Sequence, residues 1–121
     1  MKKQDPPNPF EHLRLTDVEY VGHSTAYDER RLRITENNAE TAIIITSRVG
    51  EYWCGGFQFY WQHGNISYKK PDPANGLFSS EREARLYYIA YLSLFMDYYI
   101  DDTKLAINNA LHEYSQLNLF E

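Results

Sequence analysis

The sequence predicts an α+β fold, with an antiparallel sheet of four to five strands followed by two C-terminal helices packed on it. Two observations lead to this prediction. Residues 30–70 contain β-branched runs and alternating apolar and polar side chains, which are typical of strands. Residues 80–116 instead carry a helix-capping signal and apolar side chains at helical spacing. Because all the strands precede the helices, we expect a segregated architecture.

Length and composition fit one folded domain. The chain has 121 residues, of which 43% are hydrophobic, so it can form a core without metals or disulfides. The formal net charge of −5 argues against a general electrostatic footprint for nucleic acid. The single cysteine, Cys54, excludes an intramolecular disulfide framework and favours a cytoplasmic setting. We expect neither a signal peptide nor a membrane span, because no apolar run is long enough.

The composition divides the chain into three parts. Residues 1–9 contain three of the five prolines and are interpreted as a flexible arm. Residues 10–115 form the predicted α+β domain. Residues 116–121 are a C-terminal peptide, which is a candidate docking motif.

Five segments have strand-like patterns. Thr41–Val49 is β-branched and mostly apolar, which is typical of a central strand buried on both faces. Gly55 and Gly56 interrupt the next strand, which indicates a bulge or a close approach of another backbone. The five segments are Asp17–Val21, Arg30–Glu36, Thr41–Val49, Glu51–Trp61 and Ile66–Lys70.

Aromatic side chains alternate along the strand Glu51–Trp61. One face is expected to form the core under the first helix, because a small α+β domain needs a large apolar face there. Its members are Trp53, Phe57, Phe59 and Trp61. The opposite face carries Tyr52, Gln58 and Tyr60, and it is the better candidate for a contact surface.

The first helix is predicted to run from about Glu81 to Ile100. Ser80 and Glu83 match the capping-box pattern that begins a helix. The stretch Leu86–Met96 contains no charge, so we expect the helix to be covered by the sheet, by the second helix and by a partner subunit. This stretch and the 11 tyrosines predict a homodimer.

The second helix is predicted over about Thr103 to Gln116, with Asp101 or Asp102 as its N-cap. An apolar stripe at helical spacing is expected to pack on the core. Its members are Ile107, Ala110, Leu111 and Tyr114.

No arrangement of residues in the sequence indicates a catalytic site. The four histidines lack metal-ligand spacing, so no metal and no cofactor is expected. Cys54 could act as a nucleophile with His63 as its base, but a buried structural thiol is far commoner inside a strand. We therefore predict that the protein is not an enzyme.

A nucleic-acid interface is a second hypothesis. Tyr52 and Tyr60, together with Lys69 and Lys70, could form a face that stacks on and attracts single-stranded nucleic acid. The acidic net charge argues against it.

The last residues depart from the apolar stripe of the second helix. Leu117 can continue the stripe, whereas Leu119 and Phe120 fall away from it. One explanation is that all three fold back to close the domain's own core. The other is that they dock on another protein.

The segment Gln116-Leu117-Asn118-Leu119-Phe120 resembles the short peptide by which many bacterial replication and repair proteins bind the DNA polymerase sliding clamp. Four positions match the motif, and Asn118 replaces the usual Ser or Asp. The resemblance covers five residues and implies nothing about the domain's fold. It implies that Gln116, Leu117, Leu119 and Phe120 contact the clamp.

The sequence therefore predicts a protein-binding accessory or regulatory protein without enzymatic activity, from a bacterium or a mobile element. It would be tethered to the replication clamp through residues 116–120. The alternative is a module that binds single-stranded nucleic acid.

Overall fold

In the part of the chain that the structure describes, four antiparallel strands form a sheet in which each strand pairs with its neighbour along the chain. In this computed structural model the strands are β1 (Tyr27–Glu36), β2 (Thr41–Val49), β3 (Tyr52–Tyr60) and β4 (Ile66–Lys69). The helices α1 (Glu81–Ser93) and α2 (Asp101–Leu117) follow. Single 3-10 turns occupy Glu11–Leu13, Pro73–Asn75 and Met96–Tyr98. The predicted α+β fold, with four strands before two helices, is confirmed.

The structure describes residues 7–15, 26–37 and 39–117, except for the side chains of Glu36 and Leu117. The predicted strand at Asp17–Val21 lies outside the described residues. So do most of the proline-rich arm and the last four residues, which include Leu119 and Phe120.

The strand β2 is central and buried on both faces, as its composition predicts. Ile44 pairs with Leu32 of β1 and with Phe57 of β3. Ile44 and its neighbour Ile45 point to opposite faces, and both are fully buried.

The glycine pair in β3 serves close packing on both faces of the sheet. Pairing between β2 and β3 continues without a register shift from Thr41 to Val49, so Gly55 and Gly56 form no bulge there. A Cβ on Gly55 would meet the Tyr88 ring at 2.8 Å. A Cβ on Gly56 would lie 2.0 Å from the carbonyl oxygen of Lys69. The absence of side chains lets α1 approach one face and the chain leaving β4 cross the other.

The main core lies between the sheet and the helices. The predicted aromatic face of β3 is part of it: Phe57 and Phe59 are buried, and Trp53 and Trp61 are partly buried at its two ends. The stripe of α2 also packs there, as expected, through Ile107, Ala110, Leu111 and Tyr114.

A smaller apolar cluster lies on the other face of the sheet. After β4 the chain crosses this face and returns at Phe78, which pairs with Trp53 through two backbone hydrogen bonds. The crossing segment brings Leu77 over Val49 and Cys54. Partly buried residues complete the cluster, namely Leu15, Ala26 and Tyr52.

The first helix is shorter than predicted and ends at Ser93. The next residues tighten into 3-10 geometry, with the Phe95 N–H bonded to the Leu92 carbonyl. The Tyr99 hydroxyl donates to the same carbonyl at 2.7 Å, so a tertiary contact satisfies the helix end. The predicted end at Ile100 was wrong, because the charge-free stretch contains a reversal that joins two packed helices.

The start of α1 is capped as predicted, whereas the start of α2 is not. Ser80 caps α1 by accepting the N–H of Glu83 at 3.1 Å. The helix α2 begins at Asp101, so Asp101 and Asp102 lie in its first turn and the predicted N-cap there was wrong. The acidic pair still stabilises the helix through its position at the positive end of the dipole.

The chain's own elements cover α1. The sheet and α2 bury one side, and the N-terminal 3-10 turn covers another. There Asn8 donates to the carbonyl of Tyr87 at 3.0 Å, and the Tyr87 hydroxyl donates to Glu11 at 2.7 Å. The absence of charge from Leu86 to the end of α1 therefore has an explanation within one chain, and self-association stays a prediction.

Candidate functional site

The side of the sheet that faces away from the helices carries an array of polar and aromatic side chains, which we call the outer face. Antiparallel pairing aligns side chains across all four strands. One row consists of Arg33, Ile43, Gln58 and Tyr68, and a second consists of Thr41, Tyr60 and Ile66.

The outer face contains a shallow hollow of about 570 Å³, which Arg31, Arg33, Thr41, Ile43 and Tyr60 line. Arg31 donates to the Gln58 side chain at 2.9 Å, so the arginine is held over the sheet. Three large apolar or aromatic side chains of this face are exposed: Tyr60 by 37%, Ile66 by 56% and Tyr68 by 52%. Tyr60 and Tyr68 can stack on flat rings, and Arg31 and Arg33 can attract anions.

The residues predicted to form a nucleic-acid face are not brought together. Tyr52 lies at the start of β3 and packs into the smaller apolar cluster, whereas Tyr60 is exposed at the other end. Lys69 pairs with Phe57, which belongs to the helix-facing side. Lys70 is exposed just after β4. Tyr60 is thus the member of the predicted set that lines the outer hollow.

Sequence reasoning missed Arg31, Arg33 and Tyr68 as members of this surface. Arg31 and Arg33 were recognisable as the polar face of an alternating strand. Their alignment with Gln58 and Tyr68 depends on strand register, which the pattern of one strand does not reveal.

Two arginines of the sheet pack on a tryptophan, and Glu81 of α1 accepts hydrogen bonds beside them. The guanidinium carbons of Arg30 and Arg48 each lie 5.3 Å from the centre of the Trp53 ring. Glu81, at the start of α1, accepts a hydrogen bond from Thr46 at 3.1 Å and one from Arg30 at 3.4 Å. The two arginine side chains cover the part of Trp53 that the core does not bury, and the Glu81 carboxylate balances the positive charge of Arg30.

Cys54 and His63 do not form a catalytic pair in this arrangement. Cys54 is fully buried near the start of β3, and burial raises the pKa of its thiol to about 11. His63 follows the far end of β3 and stacks on Trp61. A thiol with a raised pKa is a poor nucleophile at neutral pH. In the described ranges, no group of three or more His, Cys, Asp or Glu side chains could hold a metal ion.

The first residues of the clamp-like segment lie on α2. Gln116 is exposed on the last turn, and Leu117 is the final helical residue. The helix therefore extends two residues into the segment that the sequence predicts as a separate peptide. Tyr114, one turn earlier, is partly buried and accepts a hydrogen bond from Arg85 at 3.5 Å.

Comparisons with protein-family models, with curated proteins and with solved structures found no match for this chain. Within the described part of the chain, no helix is long and apolar enough to cross a membrane.

Proposed function

We propose that the protein is a non-enzymatic accessory or regulatory protein that docks on a bacterial DNA polymerase sliding clamp. The observation that carries the proposal is the match of Gln116, Leu117, Leu119 and Phe120 to the clamp-binding peptide. The exposure of Gln116 at the end of α2 supports it, because the amide is accessible to a partner. The folded domain would be the cargo or effector that the clamp recruits.

The energy of such a contact would come from a few anchors. Three apolar side chains can fill adjacent pockets on a preformed surface, while the glutamine amide satisfies polar groups. An extended bound form would require the last turn of α2 to unwind as far as Gln116, and the loss of that helical structure would weaken binding. The expected dissociation constant is in the micromolar range, which corresponds to a binding free energy of about −8 kcal/mol.

Calorimetric titration of a bacterial clamp with the full chain tests the proposal. We expect the wild-type chain to bind and the double variant Leu119→Ala, Phe120→Ala to lose binding. Leu105→Ala is the matched control, because Leu105 is also on α2 and 62% exposed but lies outside the motif. Equal binding by the double variant, or no binding by the wild-type chain, would refute the proposal.

A second candidate function is binding of single-stranded nucleic acid on the outer face. The alignment of Arg33, Gln58 and Tyr68 across the sheet favours it, as does the exposure of Tyr60 beside the hollow. Stacking of one base on one exposed tyrosine contributes about 1–3 kcal/mol.

Fluorescence anisotropy with labelled oligonucleotides at low salt measures this binding. The double variant Tyr60→Ala, Tyr68→Ala should weaken it at least tenfold, and rising salt should weaken it further. Tyr98→Ala serves as the control, because Tyr98 is 73% exposed but lies between the two helices. Absence of binding by the wild-type chain at low salt would remove this candidate.

A cytoplasmic location and a homodimer are the remaining predictions from the sequence. Clamp docking requires the first, because replication takes place in that compartment in bacteria. Light scattering of the purified protein tests the second.

A further inference from the structure

A hollow lined largely by aromatic rings opens between the end of β3 and the connection from α1 to α2. Its volume is about 530 Å³, and we call it the aromatic hollow. Its lining consists of Glu40, Trp61, Gln62, His63, Phe95 and Tyr98. A smaller hollow of about 160 Å³ shares Trp61 and Phe95 with it and reaches the aromatic core.

The rings on the β3 side of the aromatic hollow are held in place. The Trp61 indole N–H donates to the Ser67 hydroxyl at 2.8 Å, which orients the ring. Trp61 also packs against Phe59 and Tyr99, with ring centres 4.4 and 5.4 Å away. His63 stacks on Trp61 at 6.0 Å with the two planes 6° apart. Trp61 is therefore preorganised, whereas Tyr98 on the other side is 73% exposed and can adjust to a ligand.

Glu40 also lines the aromatic hollow, although the residue is only 2% exposed. One carboxylate oxygen accepts the N–H of Ile100 at 3.0 Å, so the side chain is fixed. Three further carboxylates are exposed within a few residues of Tyr98 in the sequence. They belong to Asp97, Asp101 and Asp102. A carboxylate beside ring faces attracts a cation and repels an anion.

We propose that the aromatic hollow binds an alkylated ammonium group. Ring faces stabilise such a cation through their quadrupoles, and the Glu40 carboxylate supplies the opposite charge. A primary ammonium carries three donors, each of which loses a water molecule on entry. A quaternary ammonium needs no hydrogen bonds, so a wall made mostly of rings suits it better. This site is independent of the clamp-like segment and of the outer face.

Choline and its neutral isostere 3,3-dimethyl-1-butanol provide the sharpest test, because they differ in charge but not in shape. Nuclear magnetic resonance of the wild-type chain follows the indole N–H signal of Trp61 during each titration. We expect choline to shift this signal and to bind at least about tenfold more tightly than the alcohol. Equal affinities would overturn the proposal. So would the absence of a shift up to roughly 100 mM choline, which exceeds the range expected for a cation–π site.

Two variants locate the site. Glu40→Gln keeps an oxygen that can accept the Ile100 N–H but removes the charge, and Tyr98→Ala removes an exposed ring. Each should weaken choline binding about tenfold without loss of the folded spectrum. Tyr68→Ala, on the outer face, should leave it unchanged. If the first two variants bind as the wild type does, the hollow is not the site; if either fails to fold, the wild-type comparison still decides.

The natural source of the ammonium group is read from a third titration. N-acetyl-trimethyllysine amide represents a modified side chain of another protein, and choline represents a free small molecule. Both carry the proposed group, and when choline binds as expected, the tighter of the two identifies the source. Failure of both would overturn the proposal, whatever the outcome of the clamp titration.

Discussion

The carboxylate of Glu40 accepts a hydrogen bond from the backbone N–H of Ile100 at 3.0 Å, which joins the β1–β2 turn to the start of α2. Asn37 strengthens the same junction. Its side-chain oxygen accepts the N–H groups of Ala39 and Glu40, and its amide nitrogen donates to Thr103 at 3.0 Å. A buried carboxylate at this place stabilises the fold because it meets an N–H at the positive end of a helix.

Replacement of Glu40 tests this junction. Glu40→Ala should lower the free energy of unfolding by about 1–3 kcal/mol, because the partly buried Ile100 N–H loses its acceptor. Glu40→Gln should cost less, since its amide oxygen can still accept the bond. Urea unfolding of both variants measures the difference. Equal destabilisation by the two would show that charge, and not the hydrogen bond, holds the junction.

Gly56→Ala should be among the most destabilising small substitutions in the chain. The new Cβ would lie 2.0 Å from the backbone carbonyl oxygen of Lys69, so the crossing segment would have to move. We expect a loss of about 3 kcal/mol or more. Gly50→Ala is the control, with open space around its Cβ and a φ of +62°, and should cost about 1 kcal/mol. Similar midpoints for the two variants in urea would contradict the close approach.

Stability should fall at alkaline pH. Burial raises the pKa of the Cys54 thiol from 9.0 to about 11. Burial and the bond to Glu11 raise the pKa of Tyr87 from 10.0 to about 12. The unfolded chain releases these protons at lower pH than the folded chain does. The stabilisation is therefore complete below pH 9.0 and is lost as the pH rises towards about 12.

Urea unfolding across this pH range measures the loss, and Tyr87→Phe separates one contribution. Because phenylalanine has no proton to release, the decline between pH 10.0 and about 12 should become shallower in this variant. An unchanged slope would show that Tyr87 titrates alike in the folded and unfolded chains.

The Cys54 thiol should react slowly while the chain is folded. It is fully buried in the cluster with Val49 and Leu77, and it must become exposed before a reagent can reach it. Alkylation by iodoacetamide at neutral pH should be at least about 100-fold slower than in urea, which corresponds to about 3 kcal/mol of opening. Mass spectrometry follows the reaction. Rapid alkylation of the native chain would show that the thiol is accessible, and Cys54 would again be a candidate nucleophile.

The amino-acid pattern alone determined the layers of this protein. Period-two alternation in 51–61 identified the face that contains Phe57 and Phe59, and helical spacing identified the stripe around Ile107. These features are local, because the periodicity within one helix or strand is enough to identify the side chains that lie on the same face. The capping residue Ser80 was predictable for the same reason, since its bond reaches only three residues along the chain.

The tertiary structure decided what depends on residues distant in sequence. The end of α1 is satisfied by Tyr99, and the start of α2 is bonded to Glu40, which is 60 residues away. Strand register aligns Arg33 with Tyr68, and packing of the sheet against the helix connection places Trp61 and Tyr98 around one hollow with Glu40. No single segment contains these relationships, because each requires two elements to pack at one relative position. The clamp-like segment stands apart, since its evidence is the local match of Gln116, Leu117, Leu119 and Phe120.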